Sequence, residues 1–350
     1  MNPHPAGSID RAAPSLRVDP ASRRVKPDLN TAAYQPPRWL GNRHLQTIWP
    51  VVVPTGPRVK YRRERWVTPD DDFIDIDWAL ADPEHGLGAP TAKGPLVALF
   101  HGLEGNSGSH YSRAIMADLL AIGWRGVVVH WRGCSGEPNL LARAYHSGDS
   151  AEVDWIMRKL RPDFVAGVSL GGNALLKWLG EQGSQAGFVK AAAGISAPQD
   201  LQAGAIALSR GFNRVYCWSF LSSLKRKSAL KLDAFPGLYD RRRLMAARNF
   251  FDFDELVTAP LHGFASATDY WQRSSCKQYL GGIAVPTLVL NARNDPFLPE
   301  RMLARPAEVS AAVVLDYPAD GGHVGFVHGS LPGHVEWLPK RLIGFFRQFT

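Results

Sequence analysis

Short apolar runs recur along this chain, most of them followed by a stretch with the spacing of an amphipathic helix. The runs are PLVALF (Pro95–Phe100), RGVVVHW (Arg125–Trp131), DFVAGV (Asp163–Val168), FVKAAAGI (Phe188–Ile195), PTLVLNA (Pro286–Ala292) and AAVVLDY (Ala311–Tyr317). They are of strand length and largely continuous, so both faces of each strand are expected to be buried. The helical patterns between them are SRAIMADLLAIG, GDSAEVDWIMRKL and LGGNALLKWLGEQ, and VEWLPKRLIGFFRQF closes the chain. Strand and helix alternating in this way specify an α/β fold: a mostly parallel sheet with helices on both faces. Upstream, VKYRRERWVTPDDDFIDIDWAL alternates apolar and polar residues on either side of Thr68–Asp71, which predicts a hairpin.

Two segments fall outside that rhythm. Residues 1–35 are rich in Pro, Ala and Arg without periodicity and read as a mobile arm. Residues 36–350 read as one domain, with an aromatic and basic helical insertion at about 197–282 that fits a cap over the sheet edge. Charge narrows the partners. The net charge is +8, but the basic clusters (Arg62–Arg63, Lys225–Lys227 and Arg241–Arg243) are short. Neither finger spacing nor an RNA-binding aromatic motif accompanies them, so nucleic acid is not expected. A solvated basic surface is the plainer reading, and peripheral contact with anionic lipid the sharper one. The three cysteines have no disulfide spacing, no apolar run is long enough to span a membrane, and the first 30 residues lack the apolar centre of a secretory signal. A cytoplasmic protein is the expectation.

The chemistry is expected where DFVAGV meets LGGNALLKWL. Ser169 sits between Gly167 and Gly171, where a buried strand passes into a helix. So tight a turn leaves room only for small neighbours and exposes the apex side chain above the sheet, beside the N–H groups of the helix start. Ser169 is the candidate nucleophile. A serine needs a base, and the base an acid behind it. In chain order the candidates are Asp295, in NARNDPFLP past one strand, and His323, in PADGGHVGF past the next. His328 and His334 compete as bases; Asp316 and Asp320 compete as acids. For the oxyanion the expected donors are the backbone N–H of Leu170 and that of Leu103, in the glycine-rich loop HGLEGNSGSH. Phosphate-loop, dinucleotide and H-E-x-x-H patterns are absent, so no cofactor and no metal are expected.

HGLEGNSGSHY, RGCSGEPN, GVSLGGNALLKWLGE, NDPFLP and GGHVGF, with PPRWLGNRHLQTIWP upstream, resemble the YheT/EMB8 group of α/β-hydrolases, the medium-chain esterases. The likeness runs from about Tyr34 to the C-terminus. It implies an α/β-hydrolase fold and a serine esterase or lipase, with nucleophile, acid and base at Ser169, Asp295 and His323. Fungal members of the group make and hydrolyse medium-chain ethyl esters, and animal members act on acylglycerols or phospholipids. Cys134, in RGCSGEPN, is expected to pack near the pocket wall. The expected reaction is hydrolysis of small carboxylic esters with short to medium acyl chains. Acyl transfer or thioester cleavage through the same acyl-enzyme is an alternative, and a non-catalytic lipid-binding protein on the same fold is another. Phe212, Tyr216, Trp218 and Phe220 are expected to form one wall of the acyl channel. The sequence leaves the oligomeric state open.

Overall fold

The computed structural model describes residues 33–53, 56–83, 87–88 and 93–350. Most of the span read as a mobile arm, residues 1–32, lies outside the described residues. Tyr34, near the end of that span, is buried between Phe326 and Trp337, and its hydroxyl donates to the Val327 carbonyl.

Eight strands form one sheet in the order β1-β2-β4-β3-β5-β6-β7-β8. Strands β1 (Lys60–Val67) and β2 (Phe73–Leu80) make the predicted antiparallel hairpin. Its turn closes through the Asp71 N–H to the Thr68 carbonyl. The register sets Arg63 opposite Asp77 and Arg65 opposite Asp75, and each pair closes as a two-pronged salt bridge. β1 is an edge strand, and charges on such a strand disfavour pairing with another chain.

Every apolar run from residue 95 onward becomes a strand: β3 (Leu96–Phe100), β4 (Arg125–Val129), β5 (Phe164–Val168), β6 (Ala191–Ile195), β7 (Thr287–Leu290) and β8 (Val313–Asp316). These six pair in parallel. The reason the runs are continuous rather than alternating is visible in β3. Val97 and Leu99 pack on one layer of helices, and Ala98 and Phe100 on the other.

Helix α1 (Arg43–Val52) precedes the sheet and is capped by the Asn42 side chain. Helix α2 (His110–Ala121) covers one face together with the C-terminal helix, through Ile115, Met116, Leu342 and Phe346. Helices α3 (Ser150–Leu160) and α4 (Leu170–Gln182) cover the other through Val153, Ile156, Leu175 and Leu176.

Between β6 and β7 the chain builds α5 (Leu201–Leu208), α6 (Arg214–Ala234), α7 (Arg241–Ala246), α8 (Phe250–Phe253), α9 (Ala259–Leu261) and α10 (Ala267–Ser274). A π-helical turn, Asp254–Thr258, joins α8 to α9. This segment has an apolar cluster of its own, including Cys217, Leu221, Leu232, Leu244 and Val257, and Phe297 of the loop after β7 packs into it. The last helix, α11 (Trp337–Phe346), closes the fold.

Candidate active site

Parallel strands in register carry their C-terminal loops to one rim. Phe100 pairs with Gly167, Val168 with Ile195, and Leu290 with Asp316. The loops after β3, β5, β7 and β8 therefore converge, and these are the loops that carry Leu103, Ser169, Asp295 and His323.

The turn at Ser169 is tight for a steric reason. Ser169 adopts φ 52° and ψ −118°. A Cβ on Gly167 would lie 2.4 Å from the Gly171 carbonyl oxygen, and one on Gly171 would lie 2.4 Å from that of Phe100. Backbone on both sides leaves no room for a methyl group. Gly171→Ala is therefore expected to cost about 3 kcal/mol or more, the upper range for overpacking. Gly41→Ala, at φ −75° with nothing within 4 Å of the new methyl, is expected to stay within about 0.5 kcal/mol of wild type. Denaturant unfolding of the two variants measures both.

The structure brings Ser169, His323 and Asp295 into one hydrogen-bonded line. His323 Nε2 lies 2.9 Å from Ser169 Oγ, and Nδ1 lies 2.8 Å from Asp295 Oδ2. With Nδ1–H donating to the carboxylate, Nε2 is free to accept the serine proton. Asp295 is buried, and its other oxygen accepts the Phe297 N–H at 2.7 Å. The Phe297 ring stacks on the His323 imidazole, centroids 4.0 Å apart.

The competing residues have other partners. His328 and His334 face each other across an isolated bridge. Asp316 belongs to β8 and pairs with Arg341. Asp320 accepts from Asn294 at 2.8 Å and from Gln46 at 3.4 Å.

The loop after β3 runs directly beside Ser169: a Cβ on Gly102 would lie 3.1 Å from Ser169 Cβ. Among the described residues, neither the Leu103 nor the Leu170 N–H has a hydrogen-bond partner, which leaves both available to a ligand. Buried His101 braces this loop. Its Nε2 accepts the Trp131 N–H, so Nδ1 carries the proton and donates to the Gly102 carbonyl at 2.8 Å. Burial pushes its pKa down to about 3 and keeps the ring neutral.

Two supports of the site were not anticipated. The first is α1. Thr47 Oγ1 accepts the His323 N–H at 2.9 Å, and Gln46 Oε1 accepts from Gly321 N–H and from Asn294. The second is Glu104, at φ 56°, whose carboxylate accepts from Tyr145, from Lys227 at 2.8 Å, and from Ser223. Lys227 and Ser223 belong to α6, so Glu104 ties that helix to the loop after Leu103. In sequence, Lys227 looked like part of a solvated basic cluster; only the fold shows it turned inward.

A cavity of about 860 Å³ opens beside Ser169, Leu103, Leu170, Asp295 and His323. Its apolar lining includes Leu208, Phe220, Leu224, Phe250, Val257 and Leu261. Cys134 lines it as well, 3.4 Å from Lys227 Nζ, and burial pushes its thiol up to about 11.

Of the four aromatic residues expected to form the acyl wall, only Phe220 lines the cavity. Phe212 is half-exposed, Tyr216 packs on Phe297, and Trp218 is 72% exposed. The reason is helical period: Trp218 and Phe220 are two residues apart on α6, about 200° around its axis.

Residues 95–329 match the family described as alpha/beta hydrolase fold. YheT of Escherichia coli (strain K12) is 37% identical over 89% of this chain and 92% of its own length. Mouse phospholipase ABHD3 is 28% identical over 91% of this chain and 78% of its own length. Among solved structures, the Pyrococcus furiosus esterase Pf2001 superposes with a TM-score of 0.50 at 16% identity, covering 90% of this chain and 99% of that one.

Proposed function

Because the chain belongs to the α/β-hydrolase family, in its YheT-like group of esterases and phospholipases, we propose that it is a serine esterase of small carboxylic esters with short to medium acyl chains. The observation that carries this reading is the Ser169–His323–Asp295 line opening into a largely apolar-walled cavity.

In this mechanism Ser169 Oγ attacks the ester carbonyl while His323 Nε2 takes its proton. Asp295 holds the imidazole in the tautomer that leaves Nε2 free and stabilises the imidazolium once it forms. Charge gathers on the carbonyl oxygen in the tetrahedral intermediate, where the Leu103 and Leu170 N–H groups receive it. His323 then gives its proton to the leaving alcohol, and water, activated by the same imidazole, releases the acid. Glu104 supports the geometry by fixing the loop of Leu103 against α6. The segment of α5–α10 acts as a cap, with Phe220 and Leu224 as its contribution to the acyl wall.

The test is a panel of p-nitrophenyl esters from C2 to C12, with and without an alcohol acceptor. Each methylene that enters the cavity is worth about 0.8 kcal/mol, or about fourfold in kcat/KM, until the cavity is full. The profile is therefore expected to rise, peak and fall. Phe220→Ala is expected to move the peak, and Trp218→Ala to leave it unchanged. A flat wild-type profile counts against the acyl wall. Product that forms mainly as a new ester when alcohol is present replaces hydrolysis with acyl transfer.

A further inference from the structure

Large apolar side chains also stand on the outward side around the start of α6. Phe212 and Val215 are each 51% exposed, and Trp218 stands beside them as the most exposed large apolar residue among those described. Ile206 on α5 and Leu45 and Val52 on α1 are exposed too. The two helical segments join where the His44 ring meets Phe212, centroids 4.7 Å apart.

Arg43, Arg210 and Arg214 are exposed along the same strip, and none of the three has an acidic partner among the described residues. A groove of about 570 Å³ is cut into this face, lined by Arg43, His44, Arg210, Phe212 and Arg301. The acidic side chains lining it are Asp200, whose carboxylate caps α5, and Asp295, which holds His323.

Clustered apolar side chains in water mark an interaction surface. Here they include an exposed Trp beside arginines that form no ion pair among the described residues. That combination suits a headgroup boundary, where the ring enters the acyl edge and guanidinium groups meet phosphate.

We propose that this face, built from α1, the end of α5 and the start of α6, docks the protein on an anionic phospholipid surface. Trp218 and Val215 enter the headgroup–acyl boundary, and Arg43, Arg210 and Arg214 face the lipid phosphates. A protein partner fits less well, because an uncompensated arginine set demands anions across the whole strip and a bilayer supplies them in any register. Docking does not depend on the esterase reading, since binding is measured without turnover.

The experiment is sedimentation of the full chain with vesicles of phosphatidylcholine alone and of phosphatidylcholine with 30 mol% phosphatidylglycerol, at 0.05 and 0.5 M NaCl. The expected result is binding to the phosphatidylglycerol vesicles at low salt, at least about tenfold tighter than to phosphatidylcholine, and largely lost at high salt. Arg210→Glu with Arg214→Glu is expected to weaken binding by at least about 25-fold, fivefold for each arginine. Val215→Ser with Trp218→Ser is expected to weaken it by about tenfold or more. Turnover of p-nitrophenyl acetate is expected to stay within twofold in both double variants, because these residues do not line the cavity beside Ser169.

Salt-independent binding, binding that survives both double variants, or no binding to either vesicle overturns the proposal. So does a wild-type dimer that Val215→Ser with Trp218→Ser converts to a monomer, which would make the face an interface between copies of this chain.

Discussion

Ser169→Ala is expected to lower kcat by about six orders of magnitude, roughly 8 kcal/mol of barrier. The variant removes one oxygen whose only hydrogen-bond partner among the described residues is His323 Nε2. Alanine at φ 52° carries the same Cβ strain as serine, so the turn is no worse off and the thermal midpoint should stay close to wild type. Residual turnover above water is expected, because in the proposed mechanism the Leu103 and Leu170 N–H groups and the cavity still orient and polarise the ester. Labelling by a fluorophosphonate probe gives a second, independent readout and should vanish with the hydroxyl. Ser107 and Ser135 are the natural controls. Ser107 Oγ is committed to Asp77 at 2.6 Å, and the Ser135 side chain is hydrogen-bonded to Asp75. Labelling that survives in the alanine variant and maps to either of them would remove Ser169 from the nucleophile's role.

The readable and unreadable parts of this protein divide along a physical line. An apolar run such as Leu96–Phe100 is legible because a strand buried on both faces favours apolar residues at every position, so its burial is written along its length. The Ser169 turn is legible for a similar reason, since its crowding leaves only glycine at positions 167 and 171. The meeting of Ser169, His323 and Asp295 followed from chain order and from parallel strands ending at one rim.

What stayed hidden depends on direction. Helix α6 has apolar residues around much of its circumference, and nothing in its composition says that Phe220 faces the cavity and Trp218 faces water. Lys227 sits in a basic triplet whose local pattern resembles any solvated cluster. Its pairing with Glu104 spans 123 residues of sequence. Thr47 and Gln46 support the His323 loop from even further away. Their one advance signal was PPRWLGNRHLQTIWP, recognisable as a family segment but without a stated role.

Asp295→Asn is the sharper test of the site, because the atoms around that carboxylate dictate the outcome. Oδ1 accepts the Phe297 N–H at 2.7 Å, in a place where water does not readily substitute, since Asp295 is 4% exposed. An asparagine there must keep its carbonyl oxygen toward Phe297 to satisfy that donor. Its NH2 group then occupies the position of Oδ2 and points at His323 Nδ1, 2.8 Å away. A donor facing Nδ1 forces that nitrogen to accept, and the ring proton moves to Nε2. Nε2 now presents a hydrogen to Ser169 Oγ instead of a lone pair, so the serine has lost its base while every heavy atom stays in place. The expected loss is about three to four orders of magnitude in kcat, with KM little changed, because the cavity proposed to bind the ester is untouched. Asp320→Asn makes the contrast. Its carboxylate accepts from the Asn294 and Gln46 amides, and an asparagine keeps an oxygen for them, so kcat should remain within about tenfold of wild type. Crippled activity in Asp320→Asn beside an active Asp295→Asn would mean that the acid behind His323 is Asp320 and that the imidazole turns toward its own loop during turnover.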